Sequence, residues 1–329
     1  MTRKEPLRLL SENDVKSVGL SLHEVLNLTE YAYLLDASGL AEVPTKIGVH
    51  PDYPGSFLHA MPAWVDEARA LGMKWVSYFP GNFDRDLPDS TGIIILNHPD
   101  TGQPVCIMEG MHVTFLRTAA CAAVAVRNLM IEPPQTLTLV GCGGLGKWSL
   151  RMMTVAFPSI TRIFVSSRTP ASRERFCAEM QAEGSGSPAI TPVDDLVSAA
   201  QQSDVIITSI PPGEAQPVSP ACLKPGSFFV PLDLMNSWQD DVLQATNRIV
   251  ADNPQNLADL LAKARPDANG AVGKIARLQE AVAGRADKSA RRDRTFVGVC
   301  GIASTDVVIG WEIYRRAVRA GIGTSFGMT

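Results

Sequence analysis

The stretch that decides the fold is Thr136-Leu137-Thr138-Leu139-Val140-Gly141-Cys142-Gly143-Gly144-Leu145-Gly146. Its apolar, β-branched first half predicts a buried strand, and residues 147–157 have the pattern of a helix. Glycines between a strand and a helix are typical of a dinucleotide site. Gly141 permits the tight turn, Gly143 lets the backbone approach a pyrophosphate, and Gly146 lets the helix pack closely on the strand. The alternative is a glycine-rich turn that only joins two elements.

The chain after this glycine loop (residues 141–146) alternates between strand and helix patterns. We expect strands at residues 162–167, 204–210, 227–233, 248–252 and 295–300. Helices are expected at residues 170–183, 194–201 and 240–245, with a polar helical region at 258–288. Such alternation predicts an α/β fold whose centre is a doubly wound parallel sheet of the Rossmann type.

The first part of the chain has a different organisation. Its expected strands, at residues 56–63, 73–79, 92–97 and 104–108, lie close together in the sequence and indicate an α+β domain. A closing helix at residues 304–320 is expected to return to that domain. We therefore predict two domains: residues 1–117 with 303–329, and the dinucleotide-binding residues 118–302.

Composition limits the classes of partner and the compartment. A formal net charge of −4 gives no broad basic surface, so we expect neither nucleic acid nor a membrane as a partner. No apolar run is long enough to span a bilayer, and the polar N-terminus leads into no apolar signal core. The six cysteines are scattered without a CxxC pair, which favours reduced thiols over disulfides or a metal site. These features predict a cytoplasmic protein.

The end of the second strand of the predicted parallel sheet bears on the choice of cofactor. NAD sites usually place an acidic side chain there, where it holds the adenosine ribose. This chain instead has Ser167, Arg168 and Thr169, and a guanidinium with hydroxyls suits a 2′-phosphate. We therefore expect NADP(H) rather than NAD(H). The alternative is a surface arginine near the start of a helix.

Several short motifs together resemble the ornithine cyclodeaminase/mu-crystallin family. They follow the order of the family over nearly the whole chain and are Met61-Pro62-Ala63, Met73-Lys74-Trp75-Val76-Ser77, Thr101-Gly102 before Pro104, Arg117-Thr118-Ala119-Ala120, the glycine loop and Gly301-Ile302-Ala303-Ser304-Thr305-Asp306. The combination is more specific than any one motif. The resemblance implies a homodimer paired through the first, substrate-binding domain. It also implies NAD or NADP bound to the second domain and activity on a small amino or imino acid.

The resemblance also implies which residues form the sites. Lys46, Lys74 and Arg117 match positions that bind the substrate carboxylate, and Lys74 becomes a candidate proton donor if a neighbouring cation lowers its pKa. From the residues alone, Lys74 could equally extend from a surface strand, and Arg117 could pair with Glu109. The expected cofactor contacts are Thr118, Gly141, Gly143, Gly144, Leu145, Gly146, Ser167, Arg168, Thr169, Thr208 and Ile210.

Two positions depart from the family pattern. His59 stands where the resemblance implies a glutamate that holds the distal amine of ornithine, which argues against ornithine as the substrate. Its alternatives are contact with a different substrate tail, proton transfer, or simple packing. Asp233 comes about two residues earlier than the catalytic aspartate of cyclodeaminases. It is a candidate proton acceptor or amine anchor, and the alternative is a cap of the next turn or helix. Asp306 matches the family's aspartate at the start of the closing helix, and its alternatives are contact with the nicotinamide region and a dipole or capping role.

The hypothesis we favour is an NADP(H)-dependent oxidoreductase that transfers hydride at the α-carbon of a small amino or imino acid. It assigns Lys74 and Asp233 to catalysis, and Lys46, His59, Lys74 and Arg117 to substrate binding. One alternative is a cyclodeaminase, in which the nicotinamide is reduced and reoxidised within one turnover while ammonia is released. The other is a non-enzymatic protein that binds NADPH.

Overall fold

The structure is a computed structural model that describes residues 6–184, 188–211, 215–233, 236–264 and 275–327. It divides into two units: unit 1 consists of Met1–Arg117 and Ile302–Thr329, and unit 2 of Thr118–Gly301. Unit 1 is therefore built from both ends of the chain. Among the described residues, no helix combines the length and the apolar character needed to cross a membrane.

The elements are numbered along the whole chain. The strands are β1 (Leu7–Leu10), β2 (Ala41–Glu42), β3 (Ile47–Val49), β4 (Phe57–Val65), β5 (Ala70–Tyr78), β6 (Ser90–Asn97), β7 (Pro104–Glu109), β8 (Thr136–Val140), β9 (Arg162–Ser166), β10 (Ala189–Pro192), β11 (Val205–Thr208), β12 (Phe228–Pro231), β13 (Arg248–Ala251), β14 (Ile275–Arg277), β15 (Thr295–Gly298) and β16 (Thr324–Phe326). The α-helices are α1 (Glu12–Ser17), α2 (Leu22–Ala37), α3 (Met111–Leu129), α4 (Gly144–Ala156), α5 (Pro170–Glu183), α6 (Leu196–Gln201), α7 (Pro254–Ala264), α8 (Leu278–Val282) and α9 (Ala303–Ala320). Short 3-10 helices lie at Pro80–Arg85, Pro220–Cys222 and Asp240–Val242.

Unit 1 contains a mixed sheet with the strand order β16-β1-β7-β6-β5-β4-β2, and β3 also pairs with β4. The register of its central strands separates two faces. Lys74 lies opposite Met61 of β4 and Ile94 of β6, so these three side chains share one face. Trp75 and Ile93 lie opposite each other on the other face. The two faces therefore have different environments, one around Lys74 and one around Trp75.

Helix α9 packs on the face that carries Lys74. Gly310 makes this close approach feasible, because a Cβ atom there would lie 3.3 Å from Ile94 Cγ2 and 3.5 Å from Leu96 Cδ2. The indole of Trp311 donates a hydrogen bond of 3.2 Å to the Leu71 carbonyl of β5. The middle of α9 is thereby held against β5 and β6.

Unit 2 contains a parallel sheet with the strand order β10-β9-β8-β11-β12-β15-β13-β14. From β8 the chain proceeds outward to β9 and β10, then crosses back to β11 on the other side of β8. Sheets of this kind bind ligands beyond the carboxyl ends of the strands at such a reversal. The glycine loop follows β8, and Thr208 ends β11.

The predicted fold class, a Rossmann-type parallel sheet with an additional α+β part, is confirmed, whereas some elements differ from the prediction. Helix α4 begins at Gly144, inside the glycine loop, because its close packing outweighs the low helix propensity of glycine. The segment predicted as a helix at 240–245 is a 3-10 turn at Asp240–Val242. The predicted helical region 258–288 instead contains the end of α7, strand β14 and α8, while its residues 265–274 lie outside the described residues.

Candidate active site

Unit 1 contains a buried cluster of two cations around one carboxylate. Lys74 Nζ and Arg117 Nε donate hydrogen bonds of 2.9 and 3.0 Å to the same oxygen, Oδ1 of Asp306. The side chains come from β5, α3 and the first turn of α9. Lys74 is 1% exposed, Arg117 6% and Asp306 0%, so water screens these three charges little. The other oxygen, Oδ2 of Asp306, is buried and has no hydrogen-bond partner among the described residues.

The burial of Lys74 changes its acidity. Desolvation and, next, the charge of Arg117 lower the pKa of Lys74, and the interactions with Asp306 oppose them, so that the pKa is about 8. The sequence made Lys74 a candidate proton donor if a neighbouring cation lowered its pKa. Arg117 is such a cation. A buried lysine that titrates near neutral pH can both bind an anion and release a proton.

Lys46 and His59 belong to the same side of unit 1. Lys46 directly precedes β3, and its charge lowers the pKa of both His59 and Lys74. His59 lies on β4 opposite Val76, which is on the same strand face as Lys74. Burial, followed by the charges of Lys46, His50 and Lys74, lowers the pKa of His59 to about 4. His59 is therefore a neutral imidazole near pH 7.

The glycine loop of unit 2 fits a dinucleotide phosphate. A Cβ atom at Gly141 would lie 2.4 Å from the Ser209 carbonyl oxygen, and one at Gly146 would lie 2.4 Å from the Gly141 oxygen. At Gly143, in contrast, a Cβ atom would meet no described atom within 4 Å. Gly143 is the N-cap of α4 and supplies no side-chain cap, so the first amides of the helix face an open, positively polarised end.

The turn between β9 and α5 contains the residues predicted to select the cofactor. Thr169 caps α5 through its hydroxyl, and the Ser167 hydroxyl donates to the Thr169 carbonyl at 3.0 Å. The guanidinium of Arg173 is buried, donates to the Ser167 carbonyl and pairs with Asp194. Arg168 is exposed, and within the described part of the chain its guanidinium has no ion-pair partner. The turn is fixed, and its exposed cation is available to a ligand.

Asp233 is bound to the segment that follows β11. Its Oδ2 accepts from the Ile210 amide at 3.1 Å and its Oδ1 from the Ser237 hydroxyl at 2.9 Å. The Ser237 and Thr208 hydroxyl oxygens lie 2.6 Å apart. Burial raises the pKa of Asp233, and these hydrogen bonds oppose that rise. The Asp233 carboxylate thus links the segment that follows β11 to the segment that follows β12.

The structure brings together several predicted residues and adds one. In unit 1, Lys74 and Arg117 both donate to Asp306, which was expected either to contact the nicotinamide region or to cap its helix. Glu109 instead accepts the Met111 and His112 amides at the start of α3. In unit 2, the remaining predicted cofactor residues lie on α3, in the first turn of α4, at the end of β11 and just after it: Thr118, Gly144, Leu145, Thr208 and Ile210. A lysine buried in a sheet needs a carboxylate partner, and this requirement could have pointed to an aspartate such as Asp306.

Comparison with known sequences gives one family over nearly the whole chain. The profile of the ornithine cyclodeaminase/mu-crystallin family matches residues 8–321. The chain is 32% identical over 323 residues to the nodulation efficiency protein NfeD of Rhizobium meliloti, covering 97% of this chain and 98% of that protein. It is 27% identical over 329 residues to alanine dehydrogenase of Archaeoglobus fulgidus, covering 96% of this chain and 97% of that protein.

A solved structure agrees with this result. Thermococcus litoralis Δ1-pyrroline-2-carboxylate reductase, in complex with NADH and L-proline, is similar with a TM-score of 0.87 and 25% sequence identity. The similarity covers 97% of this chain and 100% of that one. The match extends over both units of the present structure. The chain therefore belongs to the ornithine cyclodeaminase/mu-crystallin family.

Proposed function

We propose that the protein is an NADP(H)-dependent oxidoreductase that acts at the α-carbon of a small amino or imino acid. The observation that carries the proposal is the buried cluster of Lys74, Arg117 and Asp306. An α-amino or α-imino acid carries a carboxylate. Two buried cations that share one protein carboxylate have a net positive charge, which would stabilise the carboxylate of the substrate. The relatives named alanine dehydrogenase and pyrroline-2-carboxylate reductase support the same reaction class.

In this proposal the residues of unit 1 bind the substrate and move a proton. Arg117 and Lys46 hold the carboxylate, and Lys74 holds it as a point charge. A reduced nicotinamide, when bound, supplies the hydride that the C=N carbon receives. Lys74 donates the proton that the imine nitrogen needs, which its lowered pKa favours. Asp306 is the positioning residue that keeps the Lys74 ammonium in place.

Unit 2 is the proposed cofactor domain. The open space at Gly143 and the uncapped start of α4 support pyrophosphate binding. For the 2′-phosphate of NADP(H) we propose Arg168 with the hydroxyls of Ser167 and Thr169. The exposed guanidinium and the absence of a carboxylate at these positions support NADP(H) over NAD(H).

Asp233 receives a positioning role in this proposal. Both of its carboxylate oxygens already accept hydrogen bonds, from Ile210 and Ser237. These two bonds fix the carboxylate between the segment after β11 and Ser237, as an anchoring role requires. The proposed function therefore assigns proton transfer to Lys74, and assigns to Asp233 the fixing of Thr208 and Ile210 beside the cofactor.

We also propose that the protein is a homodimer paired through the Trp75 face of the unit 1 sheet. Ile47, Val49, Trp75 and Ile93 are exposed by 70%, 59%, 41% and 37%. Ile47 and Trp75 both lie opposite Ala60, and Trp75 lies opposite Ile93, so an apolar row crosses three strand pairs. A contiguous exposed apolar row of this kind is typical of a protein interface.

The function is tested by the absorbance of reduced nicotinamide with a panel of imines. NADPH and NADH are compared with 2-oxo acids plus methylamine and with cyclic ketimines, while ammonia is assayed from L-ornithine. Consumption of NADPH by an imine supports the proposal. Ammonia from ornithine without net change of the cofactor would indicate a cyclodeaminase instead, and tight NADPH binding without either reaction would indicate a binding protein.

A further inference from the structure

The ring of His59 is held in one place by three neighbours. Gly48 lies opposite it on β3, and a Cβ atom at Gly48 would lie 2.3 Å from His59 Cδ2. Phe57 stacks on the ring, with centroids 4.1 Å apart and planes at 15°. His50 meets it edge-on, with centroids 5.9 Å apart. The imidazole therefore covers the glycine and keeps a fixed orientation, as a recognition group requires.

The groups whose charges shift the pKa of His59 all act in the same direction. Among the described residues, the groups that shift its pKa are Lys46, His50 and Lys74, and each of them opposes protonation of the ring. Lys46 and Lys74 are cations at neutral pH, and the ring itself stays neutral. A neutral imidazole offers one N–H donor and one acceptor nitrogen. An anion beside His59 would be stabilised by this field, whereas an ammonium group would be destabilised by it.

We propose that His59, together with His50, selects substrates whose side chain carries a second carboxylate. The substrate class is then a dicarboxylic amino or imino acid, with its α-carboxylate on Lys46, Lys74 and Arg117 and its second carboxylate accepting from the His59 ring. Diamino acids are excluded by the same field. This inference rests on the proposed function, whose substrate it specifies.

The test compares substrates that share a five-carbon chain and differ in terminal charge. NADPH oxidation is measured with methylamine and either 2-oxoglutarate or 2-oxopentanoate. Binding of L-glutamate, L-norvaline and L-ornithine to the full-length protein loaded with NADP⁺ is measured by calorimetry. We expect kcat/KM to be higher for 2-oxoglutarate by roughly tenfold or more, the effect of one hydrogen bond to a charged group. Binding should weaken from glutamate to norvaline to ornithine.

Two variants separate recognition by His59 from a general effect. His59→Glu places a negative charge where the neutral ring was, so the preference for 2-oxoglutarate should be lost and ornithine should bind better than glutamate. His23→Gln, on the exposed side of α2, should keep the wild-type preference. Gly48→Ala forces the ring to move and should reduce the preference while the protein still oxidises NADPH with 2-oxopentanoate.

The outcomes distinguish this inference from the proposed function. Equal or faster turnover of 2-oxopentanoate by the wild type would overturn the dicarboxylate inference and leave the oxidoreductase intact. A preference for 2-oxoglutarate that survives in His59→Glu would overturn the role of His59. Failure of both imines and of cyclic ketimines to oxidise NADPH would overturn the proposed function, and with it this inference.

Discussion

Lys74 Nζ lies 2.9 Å from Oδ1 of Asp306, with both residues buried in unit 1. The same oxygen accepts from Arg117 at 3.0 Å. Because one carboxylate oxygen serves two cations, each cation is only partly neutralised by it. A substrate carboxylate brought beside Lys74 and Arg117 would be stabilised by both. This relationship joins residues 232 positions apart in the sequence and is the basis of the predictions on catalysis.

Replacement of Lys74 by methionine should abolish turnover while preserving the fold. Methionine keeps much of the side-chain volume, and Arg117 still pairs with Asp306 in the variant. The loss of proton transfer should lower kcat by roughly 100-fold or more. The affinity for NADPH, measured by its fluorescence, should stay close to that of the wild type. Near-normal turnover by Lys74→Met would exclude the proposed catalytic role.

The pH profile should move in opposite directions in two variants of the cluster. Lys74 loses its proton as the pH rises through about 8, so imine reduction should decline above that pH. Asp306 favours the charged form, so Asp306→Asn should lower the pKa of Lys74 and move the decline to lower pH. Arg117 disfavours the charged form, so Arg117→Gln should move the decline to higher pH. Shifts in the same direction, or an unshifted profile with uniformly lower rates, would indicate that Asp306 is only structural.

The choice of cofactor should depend on Arg168. Replacement by aspartate removes the proposed 2′-phosphate partner and adds a repelling charge. Affinity for NADPH should fall by roughly tenfold to a hundredfold, while affinity for NADH should change little. Arg175→Asp, at an exposed position on α5, serves as a control for the general loss of positive charge. Equal losses for the two cofactors in Arg168→Asp would contradict the NADP(H) assignment.

Two glycines of the loop should respond differently to alanine. A Cβ atom at Gly146 would lie 2.4 Å from a backbone oxygen, so Gly146→Ala should destabilise unit 2 by about 1–3 kcal/mol. A Cβ atom at Gly143 has open space, so Gly143→Ala should keep the wild-type Tm. Its methyl group would occupy the proposed phosphate position and weaken cofactor binding. Thermal unfolding and calorimetry check both effects, and unchanged NADPH affinity in Gly143→Ala would argue against this phosphate position.

The proposed dimer should dissociate when a charge is placed on the apolar row. Trp75 is 41% exposed at the middle of that row, so Trp75→Arg should convert the dimer to monomer in analytical ultracentrifugation. Val318→Arg changes an exposed apolar residue of α9 instead, and should leave the dimer intact. A wild-type protein that sediments as a monomer would refute this interface directly.

Features encoded within a short stretch of sequence were predictable. The strand, glycine loop and helix after Thr136 depend on neighbouring residues, and the parallel sheet inferred from the alternation is confirmed. The two-residue period of a strand likewise places Lys74 and Val76 on one face. The start of α4 at Gly144 was missed because glycine has low helix propensity and only packing in the fold offsets it.

Features that depend on distant residues were not predictable from spacing. Asp306 reaches Lys74 because α9 returns the end of the chain to unit 1. The contact of His59 with Gly48 depends on the register of β3 against β4, which no local pattern specifies. For Asp233, the sequence left proton transfer and capping open, and the hydrogen bonds to Ile210 and Ser237 now favour an anchoring role.

Hydride transfer to the α-carbon of an imino acid can be followed with an isotope. The protein is incubated with NADPH deuterated at C4 of the nicotinamide, a 2-oxo acid and methylamine, and the product is analysed by mass spectrometry and NMR. We expect one deuterium at the α-carbon of the N-methyl amino acid, with an equal amount of NADP⁺ formed and no transfer by Lys74→Met. An unlabelled product, or ammonia released from L-ornithine without net oxidation of NADPH, would contradict this hydride transfer.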